Sequence, residues 1–217
     1  TQRGAPHHVT ALSTGTLVDF AGAGSPRTMR GNLLLNAGTT LALANSLVGG
    51  TDSGYLRIGG NWTRDPSATF SHRNKTVWFF GTSSDQTVTV TGGGTETFAI
   101  LRIDKSLTTS FKLGNATNIN VAGMGASRNS LLLYNGDIDL NQNTFTFSSY
   151  NGGQNNIQVD GTTGNFNRNI NSTGGQGIFA IVNTDAVNTG TVVIARFSAA
   201  AARRAQLVCA SNVKFTV

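Results

Sequence analysis

Asp137 and Asp139 lie two residues apart in "LLLYNGDIDLNQNTFTF", residues 131–147. On an extended strand, two carboxylates at that spacing share a face and sit about 6–7 Å apart. That is within the ~5 to ~9.5 Å range of the carboxylate pairs that cleave glycosidic bonds. With an oxygen from Asn135 or Asn141, the same pair could hold a hard cation such as Ca²⁺. Spacing alone carries little, because every polar i, i+2 pair on every strand has it. Ile138 and Leu140 alternate with the acids and mark them as the outer side of a strand. The stretch therefore reads as a solvated strand face. Asp137 and Asp139 are kept as the first place for a bound cation, and no residue is assigned a catalytic role.

The other chemistry-bearing residues are sparser. His7, His8 and His72 have no Cys or Asp partner at ligand spacing, so a zinc site is not expected. A single cysteine, Cys209, cannot form an internal disulfide and reads as a small buried hydrophobe. "TGGGTE" (91–96) is glycine-rich but lacks the lysine and following helix of a phosphate cradle. In "VWFFG" (77–81), alternation puts Val77 and Phe79 on one side and Trp78 and Phe80 on the other. One aromatic pair must then face away from the core. If exposed, Trp78 and Phe80 are the best contact patch on the molecule.

Composition narrows the partners. Charged residues are 12% of the 217, about half the usual share. The formal charge is +6, but the basic residues are scattered where a nucleic-acid protein concentrates them on one face. Nucleic acid is therefore not an expected partner, and a weak attraction to anionic glycans is as easily argued. No apolar run reaches the roughly 18 residues of a membrane-spanning helix. The first residues show neither a Met nor a signal-peptide pattern, so the chain reads as trimmed or as part of something longer.

Short alternating runs closed by Gly or Asn recur from residue 31 onward, among them "NLLLN" (32–36), "GYLRIG" (54–59), "QTVTVTG" (86–92), "NINVAG" (118–123) and "TFTFS" (144–148). Period-2 alternation in runs this short is the signature of β-strands. One anchor per group (Leu35, Ile58, Phe79, Ile100, Val121, Leu140, Val159) gives steps of roughly 20 residues, the length of a coil turn holding two or three strands. An all-β, right-handed parallel β-helix with rungs of about 20 residues is the leading reading, and an antiparallel β-sandwich is the alternative. Asn suits the corners of such a coil, because it tolerates left-handed backbone and can hydrogen-bond from rung to rung. Residues 1–30 read as an irregular arm or cap and 31–197 as the solenoid. In 198–217, "SAAAARRAQLVCA" has helix propensity and precedes a terminal strand, and the pair reads as a cap.

The stretch "NKTVWFFGTSSDQTVTVTGGGTETFAILRIDKS" (74–106) resembles repeats of large secreted and cell-surface adhesin-like proteins of the Bacteroidetes type. The matching positions run in order through Val77, Phe79, Gly81, Ser84, Asp85, Gln86, Val88, Phe98, Leu101, Ile103, Lys105 and Ser106. The following "LLLYNGDIDLNQNTFTF" and "GNFNRNINSTGGQGIFAI" (164–181) look like the rungs that come next, with Gln142 where glycine is common. The resemblance implies a parallel β-solenoid used as scaffold on a secreted or cell-surface protein. Cell-surface glycans and further copies of the chain are the partners to consider. A polysaccharide-binding or polysaccharide-cleaving β-helix and a self-assembling filament subunit are the competing functions.

Overall fold

The alternating runs form strands of three to seven residues, and each strand pairs with the equivalent strand one turn away. The computed structural model describes residues 5–15, 17–19, 26–43, 55–106, 108–122, 131–135, 137–141, 143–147, 157–160, 167–169, 176–182, 190–194, 204–209 and 213–216. Of residues 17–19, 133–135, 137, 146–147 and all from 157 onward, only the backbone is described. The fold is all-β, with parallel sheets stacked as a β-solenoid. A turn runs through three sides. Arg27–Met29, Leu33–Leu35 and Thr40–Ala42 lie one on each side, and Leu56–Ile58, Trp62–Arg64 and Thr69–Ser71 repeat them.

The first side is one eight-stranded sheet: Val9–Ala11, Leu33–Leu35, Trp62–Arg64, Gln86–Val90, Ser110–Leu113, Asp137–Asp139, Gln176–Val182 and Arg204–Cys209. The second is a seven-stranded sheet: Arg27–Met29, Leu56–Ile58, Thr76–Phe79, Ile100–Asp104, Leu131–Asn135, Ile157–Asp160 and Asn167–Asn169. Its last strand pairs antiparallel to Ile157–Asp160, a departure from the parallel pattern. The third side is split. Leu17–Asp19, Thr40–Ala42 and Thr69–Ser71 form one sheet, and Gly94–Phe98, Thr117–Val121, Thr144–Phe147, Gly190–Ile194 and Val213–Thr216 form another.

Register makes the core. Each strand sends alternate residues inward, and parallel pairing stacks them in files. Leu33, Trp62, Val88 and Leu113 form one file; Leu56, Val77, Leu101 and Leu131 form another. All eight are buried. Aromatic rings fill the middle of the coil. Phe79 packs edge-on against Phe111 at 4.9 Å, and Trp62 against Phe70 at 4.7 Å, the tilted geometry that aromatic pairs favour.

The structure corrects the sequence reading of the fold in three places. In-register steps are 21 residues from Leu56 to Val77, 24 from Val77 to Leu101 and 29 from Leu33 to Trp62. The turn is longer than the sequence anchors gave, because those anchors slid between sides: Leu35 is on the first, Ile58 and Phe79 on the second, Val121 on the third. The coil also begins before residue 31, since Val9–Ala11 pairs with Leu33–Leu35 and Arg27–Met29 with Leu56–Ile58. Short glycine-punctuated strands at one end of a solenoid look irregular until their partners are known. Finally, Arg204–Cys209 is a strand parallel to Gln176–Val182, not a helix. Helix propensity there is a fraction of a kcal/mol per residue, and pairing overrides it; residues 198–203 lie outside the described residues.

Corners between the second and first sides are tight. A Cβ on Gly59 would fall against the Arg30 carbonyl oxygen, and one on Gly81 against the Gly59 carbonyl oxygen. Successive turns approach there through bare backbone. Gly81→Ala should therefore destabilise the fold by about 1–3 kcal/mol, as forced overpacking does. Urea unfolding followed by circular dichroism would read this, and an unchanged midpoint would show that the corner is not close-packed.

Candidate functional site

Polar residues that looked available for chemistry first have to be placed. Asp139 is 2% exposed, which corrects the expectation of a solvated strand face. Its strand is interior to the first sheet, between Ser110–Leu113 and Gln176–Val182. Lys112 stands directly opposite it in register, with Nζ 3.2 Å from Oδ2. The Asn141 N–H donates to Oδ1 at 3.0 Å. Asp139 is thus held in a cross-strand ion pair. Asp137 has its backbone in the same strand, and its side chain lies outside the described residues, as does the side chain of Asn135. Among the described residues, no group of three or more His, Cys, Asp or Glu is placed to hold a metal ion.

Two buried charges that sequence reasoning missed are tied into the coil in the same way. Glu96 is 2% exposed and points inward in the file that continues with Ile119 and Phe145. Its Oε2 accepts the Trp62 indole N–H at 2.8 Å and the Arg64 Nε–H at 2.7 Å. Arg64 also donates to the carbonyl oxygens of Ala68 and Thr95, at 2.8 and 3.1 Å. Burial pushes the Glu96 carboxyl above its usual range, and Arg64 pulls it partway back. The second is Lys105. Its ammonium donates to the carbonyl oxygens of Gly81 and Ser84 and to Gln86 Oε1. Gln86 in turn donates from Nε2 to the carbonyl oxygens of Ile58 and Gly60, one turn back. Asp85 completes the corner by accepting the Ser110 N–H at 2.8 Å. A usable signal existed for Arg64: aligned rung on rung, it falls in the file between Leu35 and Val90, so its charge had to be met inside. Lys105 gave no such signal.

The group that does face outward lies on the second side. Val77 and Phe79 are fully buried, and Trp78 and Phe80 are partly exposed on the other face. Arg57, Trp78 and Arg102 are in-register neighbours on three adjacent strands. The Arg57 guanidinium carbon is 4.1 Å from the Trp78 ring centroid and 4.8 Å from that of Phe80. Arg102 approaches Trp78 from the next strand, at 3.6 Å. Tyr55 lies 6.1 Å from Trp78. Parallel pairing thus makes a stack of cation, ring and cation across the strands, with each contact worth about 0.5–2 kcal/mol depending on desolvation. Arg102 also lies 3.9 Å from Asp104. Arg57 has no ion-pair partner among the described residues, and neither its Nε nor the Trp78 Nε1 has a hydrogen-bond partner. Sequence reasoning found Trp78 and Phe80 from alternation alone. It missed the arginines, because only register brings them onto the ring.

The chain matches no protein-family model, no curated protein and no solved structure. No helix among the described residues is long and apolar enough to cross a membrane.

Lys105 gives a pH test of the corner. Burial lowers its pKa to about 8, with Asp85 pulling the other way. The folded state then binds fewer protons than the unfolded state between about 8 and the ordinary 10.5. The contribution of Lys105 to stability is therefore flat below about 8 and rises with pH through that window. Relative to Lys105→Met, the wild-type chain should gain stability from pH 8 to pH 10.5 in urea titrations. A constant difference across that range would show that the amine is not buried as described.

Proposed function

We propose that the chain is a scaffold segment of a secreted or cell-surface protein, with an adhesin-like role in which the solenoid carries an outward contact face. One observation carries this reading: among the described residues, the buried Glu96, Lys105 and Asp139 are spent on holding turns to one another. Glu96 binds Arg64 and Trp62 across the coil, Lys105 and Asp85 tie corners, and Asp139 pairs with Lys112 on the neighbouring strand. A charge used in this way contributes cohesion, and a coil built from such turns can be lengthened without redesign.

Composition adds support. With charged residues at 12%, the polar residues of the chain are mainly Thr, Ser, Asn and Gln, which suits a long passive surface. The resemblance over 74–106 points the same way, because the matched Gly81, Asp85, Gln86 and Lys105 all serve the corner described above. The adhesin-like assignment itself rests on that resemblance and is part of the proposal.

Antibodies raised against the chain should label intact, unpermeabilised cells of the source organism, or detect the protein in the medium. External protease should remove the cell-bound label. Labelling that needs permeabilisation and resists external protease would contradict the proposal.

A further inference from the structure

We infer that the outer face of the second sheet is a receptor for an acidic polysaccharide, whose carboxylate or sulfate groups are taken by Arg57 and Arg102 on either side of Trp78. This goes beyond the scaffold reading, which assigns the chain no ligand. The argument starts from charge. Arg57 is held over two rings and has no counter-charge among the described residues. The residue in register with Arg57 one strand earlier is Thr28, which brings no counter-charge. Among the described residues, Asp104 is the one carboxylate paired with the stack, and it is on the Arg102 side.

Preorganisation follows from the stacking. A guanidinium held against a ring has lost part of its rotational freedom, and the planar group is of the kind that matches a carboxylate or sulfate. The backbones of Arg57 and Arg102 are two strands, roughly 9–10 Å, apart along the coil axis, and their guanidinium groups, 4.1 and 3.6 Å from the one Trp78 centroid, are closer together than that. The ligand that fits is an extended chain with repeated anionic groups, laid across the strands. Tyr55 and Phe80 border the stack and supply apolar ring surface to the sugar rings.

Single-stranded nucleic acid fits less well. Its binders present free aromatic faces for base stacking within a dense basic track. Here guanidinium groups occupy Trp78 from the strands on both sides, and the basic groups are few.

Calorimetric titration of the full chain with a polyuronate oligosaccharide tests this, with neutral dextran and a single-stranded oligodeoxynucleotide in parallel. Saturable polyuronate binding is expected, weakened by added salt, with none to dextran. Arg57→Gln should weaken it about tenfold or more, as loss of a charge-assisted pair does. Arg57→Lys, which keeps the charge and loses the fork, should also weaken it, and thermal unfolding would confirm that each variant folds. No polyuronate binding, binding by both variants as tight as that of the wild-type chain, or preferred binding of the oligonucleotide would overturn the inference. Cell-surface labelling tests the scaffold reading separately, so the two can fail independently.

Discussion

The coil depends on an ion pair placed where its hydrogen bonding stops. The third side is not continuous, because Thr69–Ser71 ends one sheet and Gly94–Phe98 begins the next. Just before Gly94–Phe98, the chain turns through Gly92, Gly93 and Gly94, all at positive φ, a conformation only glycine adopts cheaply. The first and second sides run past this break without interruption, and inside it sit Arg64 and Glu96. Arg64 reaches Ala68 before the break and Thr95 after it, and Glu96 joins Arg64 to the Trp62 indole. Side chains thus replace the missing ladder. A buried pair is weak evidence for net stability, but removing one partner strands the other charge, at a cost of about 3–5 kcal/mol.

The same economy governs the corners. Parallel strands leave their end groups to be satisfied turn by turn, and short polar side chains do this without widening the coil. The Asn32 N–H donates to His8 Nδ1, the Asn61 N–H to Asn32 Oδ1, and the Thr87 N–H to Asn61 Oδ1, all at 2.8–2.9 Å. Thr144 and Asn118 repeat the arrangement at another corner. The high Asn and Thr content is therefore a consequence of architecture.

The solenoid was legible because alternation and burial share one cause: Leu33, Leu35, Val77 and Phe79 alternate in sequence and are buried in space. The turn length was blurred because an anchor residue looks the same on any of the three sides. Asp139 shows the limit of reasoning from a single strand. Its own neighbours place it outward, yet Lys112 on the adjacent strand takes it out of water. Cross-strand partners come from register, and the sequence separation between successive strands is unequal, as from Ala42 to Leu56 and from Val121 to Leu131. For the same reason Trp78 was visible from sequence and its two arginines were not. In Arg204–Cys209 the alternation was present, but alanine and arginine concealed it.

One picture joins the two faces of the coil. Glu96, Lys105 and Asp139 are spent on cohesion, and on the second side Arg57 and Arg102 are organised by Trp78. The most direct measurement of the central claim, that buried ionisable groups hold the turns together, is hydrogen exchange on Glu96→Gln against the wild-type chain. Exchange should accelerate selectively on both sides of the break, at Trp62–Arg64, Thr69–Ser71 and Gly94–Phe98, while the distant strand Val9–Ala11 keeps its protection. Unchanged exchange at the break, or a uniform increase across the whole chain, would contradict it.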